Sequence, residues 1–315
     1  LAKVPKNQEN SLNMNREPKA IGRLTAVLLI LLFNGAFTVA GSFMEITQDL
    51  TDPQVLLLDK ISQVIGVIIT FILPAVLIVY FLSPSRYKYL GLGTTGKPAY
   101  YLLACTLILV ALPFIGAMEE WNRHLTLPSS WSGVEAWMRR SEDNASKQID
   151  AMLKAGNIGD LLLNLFTIAF MAAVSEEIFF RGLIQNVCRE WFPNYHAAIW
   201  FTAILFSAFH MEFYGFLPRM ALGLALGYLY AWSGSLYVSM LAHFANNAYG
   251  VIMFYLIEHK VVQTPPDTPA DSGTNWLAMG ISIVLTASLL FVAYRMRKQE
   301  VIKEEEPKDQ LPGYL

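Results

Sequence analysis

Charged side chains are scarce in this chain. Asp, Glu, Lys and Arg make up 15% of 315 residues, against roughly 25% in an ordinary soluble domain, and long stretches contain none, which excludes a soluble globular protein. No excess of basic residues exists either: the net charge is -2. A nucleic-acid partner is therefore excluded, for want of a basic face to neutralise phosphates. Cysteine is limited to Cys105 and Cys188, both in or beside apolar stretches and without ligand-like spacing, so neither a disulfide framework nor a thiolate metal site is supported. His-Glu-x-x-His, the helical zinc-protease signature, is absent. What the chain has instead is apolar surface, 54% hydrophobic residues gathered in long blocks. That pattern predicts an all-α polytopic membrane protein, a bundle of about eight transmembrane helices.

The apolar runs fall at about 23–44, 61–82, 98–118, 161–191, 196–214, 218–233, 236–257 and 276–294. They divide the chain into a polar N-terminal segment 1–20, a transmembrane domain 21–297 and a disordered charged tail 298–315. Met14 reads as a plausible true start. Pro74 lies inside the second run, where neighbouring helices satisfy the freed carbonyl. Between the third and fourth runs, residues 119–159 carry Trp121, Trp131 and Trp137 and read as a segment on the membrane surface or a cap over a site. Gly223 and Gly227 give the sixth run a small-xxx-small face for close helix contact. Basic residues gather before the first run, in the loop after the second (Arg86, Lys88, Lys97) and after the eighth (Arg295, Arg297, Lys298). The positive-inside rule then puts both termini in the cytoplasm and residues 119–159 on the opposite side.

Against this background the stretch Ser175-Glu-Glu-Ile-Phe-Phe-Arg181 stands out. A charged side chain at the centre of a membrane helix costs about 2.5–3.5 kcal/mol even on lenient scales, so three together need partners inside the protein. Glu177 and Arg181 are four apart, acid first, which favours an ion pair; a structural pair is the plain account of those two. Glu176 is rotated by about 100° on the helix and faces elsewhere, and a carboxylate without a fixed cation suits a general base. The other runs supply His210, at the end of Phe206-Ser-Ala-Phe-His210, and His243 with Asn247, again four apart on one face. Each alone could be a hydrogen-bonded packing residue; at a rise of about 1.5 Å per residue their depths allow one shared site. His124, His196 and His259 fall at run ends, and Glu119 with Glu120 reads as a surface pair.

Glu-Glu-x-x-x-Arg at 176–181, Phe-x-x-x-His at 206–210 and His-x-x-x-Asn at 243–247, in that order on successive membrane helices, resemble the CAAX protease and bacteriocin-processing family of intramembrane endopeptidases. The resemblance covers about 160–250. The short interval from His210 to His243 is nearer the bacterial type than the prenyl-processing branch, which implies a bacterial cell membrane and leaves a prenylated substrate open. By resemblance, Glu176 and His210 activate a water, His243 and Asn247 stabilise the oxyanion, and Glu177 and Arg181 support the site. The expected activity is hydrolysis of a peptide bond in a membrane-associated peptide or protein, with the lipid bilayer as surroundings and no cofactor. Two alternatives stay open: a zinc site built from Glu176, His210 and His243, and a non-catalytic immunity or scaffold protein or proton-coupled carrier using the same groups. No inverted repeat is evident, which counts against the carrier.

Overall fold

A computed structural model describes residues 52–262 and 275–305. Most of these residues are helical, with no strand among them. The first apolar run lies outside the described residues, as do the polar N-terminal segment and the end of the charged tail. The remaining runs appear as α1 (Pro53–Leu82), α2 (Pro98–Arg123), α4 (Ile158–Trp191), α5 (Tyr195–Ala208), α6 (Phe216–Ser233), α7 (Leu236–Glu258) and α8 (Trp276–Glu305), and the segment between the third and fourth runs forms α3 (Ser132–Leu153). Among them α1, α2, α4, α7 and α8 are long and apolar enough to cross a membrane. The chain is a multi-pass helical membrane protein. Leu57, Ile65 and Phe81 on α1 and Leu277, Val284 and Phe291 on α8 are exposed, a surface suited to lipid rather than water.

Local chemistry sets several boundaries. Asp52 caps α1, its carboxylate accepting from Gln54 N, with Pro53 in the first turn; Asn157 caps α4 and Asn194 caps α5 in the same way. Gly234, at φ 66°, ends α6 in the left-handed conformation that glycine adopts without a side-chain penalty. Several boundaries depart from expectation: α1 begins at Pro53 rather than near 61, and α2 runs to Arg123 rather than 118. The α8 helix continues to Glu305 rather than stopping near 294, so the beginning of the expected disordered tail is helical; Arg, Lys, Gln and Glu are good helix formers and carry the helix beyond its apolar part. More consequentially, α5 stops at Ala208 instead of running through 214, which takes His210 off the helix.

Helix α4 lies at the centre, packed against α1, α5 and α7, and α6 packs against α2, α5, α7 and α8. Two stretches of α4, Leu165–Phe170 and Ile178–Gln185, widen to π-helical geometry, a feature frequent at functional sites. Glycines allow the tight fit of α6. A Cβ on Gly223 would lie 3.1 Å from Ala203 Cα, and one on Gly227 would lie 2.8 Å from Ile199 Cγ2. At the opposite end of the bundle Thr94 donates to Gly234 O and Ser235 donates to Thr94 O, locking the connection between α6 and α7.

Candidate functional site

The site forms where α4, at the junction of its α-helical stretch Met171–Glu177 and the widened Ile178–Gln185, meets the end of α5 and the first half of α7. Glu177 and Arg181 are fully buried, and Arg181 Nη1 donates to Glu177 Oε1 at 2.5 Å. Helix α6 supplies the second partner: Arg181 Nη2 donates to the Gly223 carbonyl at 3.1 Å. One turn further along each helix, Gln185 Nε2 donates to the Gly227 carbonyl at 3.1 Å. The small-residue face of α6 therefore does more than admit a close neighbour, because without Cβ atoms its carbonyls are reachable by long polar side chains of α4.

His243, on α7, sits against both glutamates. Its Nδ1 lies 2.9 Å from Glu177 Oε1 and its Nε2 lies 3.8 Å from Glu176 Oε2. A carboxylate only accepts, so Nδ1 carries the proton and Nε2 is turned toward Glu176. His210 repeats the arrangement. Its Nδ1 donates to the Phe206 carbonyl at 2.8 Å, and its Nε2 lies 3.8 Å from Glu176 Oε2. Two imidazole Nε2 atoms thus flank one carboxylate oxygen at equal distance, and Glu176 Oε2 is buried without a hydrogen-bond partner in the protein. Separations of 3.8 Å exceed direct hydrogen bonds, yet a single water about 2.8 Å from both atoms fits beside them.

Asn247 is half-buried one turn along α7 from His243, on the same face, and its side-chain oxygen accepts from Asn246 Nδ2 at 3.2 Å. The structure thus gathers Glu176, Glu177, Arg181, His210 and His243 into one contact network and leaves Asn247 at its edge. Two features were not read from the sequence. The first is the hydrogen bond from His243 to Glu177, which makes one carboxylate oxygen the partner of both Arg181 and His243. The second is Phe206, whose ring lies 5.0 Å from that of His210, 5.7 Å from that of His243 and 4.6 Å from the Arg181 guanidinium carbon. Its place four residues before His210 could have signalled that contact.

The turn that carries His210 is held from several sides. Helix α5, with 14 residues, spans about 21 Å at 1.5 Å per residue, well short of a hydrocarbon core of about 30 Å. Residues 209–215 consequently turn below the level that a full-length helix would reach, and their backbone groups need protein partners. Ser207 Oγ donates to Phe216 O at 2.6 Å, and Asn122 Nδ2 on α2 donates to Phe213 O at 2.9 Å. Glu142 on α3 accepts from Tyr214 N at 3.2 Å, while Trp137 of the same helix packs on Phe213 with ring centroids 5.5 Å apart. Arg219 pairs with Glu212. Met211, next to His210, sits at φ 53°, a left-handed conformation that costs a non-glycine residue about 1–3 kcal/mol. On α3, burial pushes the Glu142 carboxyl above the ordinary carboxylate range, partly offset by the Tyr214 hydrogen bond. Hydrogen bonding from Arg139 pulls Glu135 below it. Glu119 and Glu120 are exposed and pair with Arg123 and His124, away from the site.

A cavity of about 720 Å³ opens next to this turn, between α2, α6 and α8. Leu107, Phe114, Leu222 and Leu290 give it apolar walls, and Glu142, Glu212 and Arg219 stand at its polar end. Asn246 lines it too, whereas Glu176, His210, His243 and Asn247 are not among its lining residues. Tetrahedral zinc ligands about 2.0–2.2 Å from the ion lie about 3.3–3.6 Å from one another; the separations around Glu176 are 3.8 Å. Among the described residues no three His, Cys, Asp or Glu side chains form a metal-binding group.

Comparison with known proteins points the same way as the motifs. Residues 158–249 match the sequence model described as type II CAAX prenyl endopeptidase Rce1-like, a protease family. An uncharacterized protein of Bacillus subtilis, YpbD, is 31% identical over 85 residues, which are 26% of this chain and 40% of that protein. The chain thus spans well under half the length of that relative. No solved structure matches significantly. The resemblance to the CAAX protease and bacteriocin-processing family is borne out over 158–249, the Rce1-like segment that holds Glu176, His210, His243 and Asn247.

Proposed function

We propose that the chain is an intramembrane endopeptidase that cleaves a peptide bond with a water activated by Glu176 and His210. The observation that carries this reading is the unpartnered Glu176 Oε2 with an imidazole Nε2 on either side at 3.8 Å. His210 has its Nδ1 proton on a neutral carbonyl, leaving a lone pair on Nε2; Glu176 and His210 together take a proton from water. The hydroxide adds to the scissile carbonyl carbon, and the oxyanion accepts from His243 Nε2 and from the Asn247 amide. For Nε2 to donate, the His243 ring carries both protons, and its charge then lies against Glu177 Oε1. With Glu176, Glu177, Arg181 and a protonated His243 the formal charges sum to zero, a favourable arrangement at membrane depth. Collapse of the tetrahedral intermediate breaks the C–N bond as the proton held by the base passes to the leaving amine. The apolar cavity next to the 209–215 turn, lined in part by Asn246, supports a membrane-associated substrate with a lipophilic segment, prenylated or not.

Cleavage of a membrane reporter peptide by the purified full-length chain tests the reading. Glu176→Gln is expected to stay folded and lose essentially all turnover, since general acid–base groups contribute about 10²–10⁴-fold; full activity in that variant removes the assignment. The same assay is expected to persist in EDTA with less than one zinc per chain. Activity lost to phenanthroline, restored by zinc and accompanied by one bound zinc per chain would favour the metal mechanism instead.

A further inference from the structure

We propose that Glu142, on the surface helix α3, is a positioning residue for His210: it holds the 209–215 turn so that the imidazole is aimed at Glu176. The proposal rests on the hydrolytic reading above. His210 lies beyond the end of α5, so no helical hydrogen-bond ladder fixes its backbone; its direction depends on what grips the turn. Inside the turn, His210 N donates to Ser207 O at 3.2 Å and Met211 N to Ala208 O at 3.1 Å, local bonds that shape the turn but do not tie it to another helix. From outside, Glu142 takes the Tyr214 amide, Trp137 covers Phe213, and Arg139 lies over the Tyr214 ring at 4.3 Å. Three side chains of α3 therefore converge on two consecutive residues of the turn. The choice of a carboxylate is itself informative. Glu142 is partly buried and close enough to Glu212 for the like charge to raise its pKa further, against the pull of Arg219 and Arg123. A neutral side chain would cover the turn without that opposition, whereas an ionised acceptor grips a backbone amide more strongly. The cap helix, on this reading, is part of the machinery that keeps His210 in register with α4 and α7.

The test uses the full chain in nanodiscs, comparing wild type with Glu142→Ala, Glu142→Gln, Glu142→Asp and Glu176→Gln. Reporter cleavage, hydrogen exchange over residues 209–215 and the thermal midpoint are measured for each. Displacing a catalytic group by about 1 Å costs on the order of 10²-fold. Glu142→Ala is expected to lower kcat by about that factor with KM little changed, to speed exchange at Tyr214 and to leave the midpoint nearly unmoved. Glu142→Gln, whose neutral side-chain oxygen still accepts but more weakly than a carboxylate, is expected to fall between wild type and Glu142→Ala in kcat. Should Glu142→Ala fail to fold, Glu142→Asp decides, since it keeps the charge and lacks the reach. Wild-type turnover in the alanine or aspartate variant, or unchanged exchange over 209–215, overturns the proposal. Full activity in Glu176→Gln instead overturns the hydrolytic reading, and the exchange measurement then still judges whether Glu142 holds the turn.

Discussion

Oε1 of Glu177 is the most heavily used atom of the site, since it accepts from Arg181 at 2.5 Å and from His243 at 2.9 Å. Removing its charge should therefore have two separable consequences. Glu177→Gln leaves Arg181 buried without its counter-ion, and breaking a buried pair from one side costs about 3–5 kcal/mol. Glu177→Gln/Arg181→Met removes both charges and should regain much of that stability. It should not regain activity, because His243 has lost the carboxylate that orients its ring and faces its charge. Thermal unfolding and reporter cleavage in one detergent separate the outcomes: a double variant that recovers stability and turnover together would reduce Glu177 to a structural partner of Arg181. The sequence showed Glu177 four residues before Arg181 and so made that pair legible. The bond to His243 was not, because it joins residues 66 apart, and no local periodicity reports such a distance.

Among elements, α6 shows how a packing motif becomes a polar one. A Cβ at position 227 would stand 2.8 Å from Ile199 Cγ2 and 2.9 Å from Gln185 Oε1, so Gly227→Ala has to push α6 away from α4 and α5. Overpacking of this kind costs about 1–3 kcal/mol, and here it also lengthens the bond from Gln185 to the Gly227 carbonyl. The expected result is a lower thermal midpoint and a parallel loss of turnover, measured on the purified variant; an unchanged midpoint would mean that α6 has room to spare. At Gly250, where a Cβ meets nothing within 4 Å, the same substitution is the control and should be neutral. The spacing of Gly223 and Gly227 announced a close helix contact, but not which side chains would use the bared carbonyls. Helix α5 shows the converse: hydropathy continued through Phe209 and beyond, yet the helix ended at Ala208. A run of apolar residues measures preference for a dry environment, and a buried turn satisfies that preference as well as a helix does.

For the whole molecule, orientation follows from charge. Arg86, Lys88 and Lys97 lie in the loop between α1 and α2, and Arg295, Arg297 and Lys298 lie near the end of the apolar part of α8, so these clusters are expected on the cytoplasmic side. With an even number of crossings both termini share that side, and α3 with its cap over the His210 turn faces the other. Reporter fusions at the C-terminus and in the 125–131 loop check this: a translocated C-terminus, or a cytoplasmic loop, contradicts it. Helices α5 and α6 matter here, since α5 is too short to cross a full hydrocarbon core by itself. The two together form a hairpin that brings the chain back beside α7.

Composition and spacing were enough to specify the class of molecule, the apolar helices α1, α2 and α4 to α8 though not all of their ends, the pairing of Glu177 with Arg181 and the shared face of His243 and Asn247. Each of these is a property of neighbours along the chain, governed by helical repeat, by transfer of side chains from water and by the cost of lone charges in lipid. Which groups meet across helices was decided only in the tertiary structure. The equal approach of His210 and His243 to Glu176, the hold of Glu177 on His243, the central ring of Phe206 and the grip of Glu142 on the His210 turn all depend on where separate helices end and how closely they pack. A sequence carries that information only in the sum of many weak contacts, whereas a folded chain resolves it into a few distances.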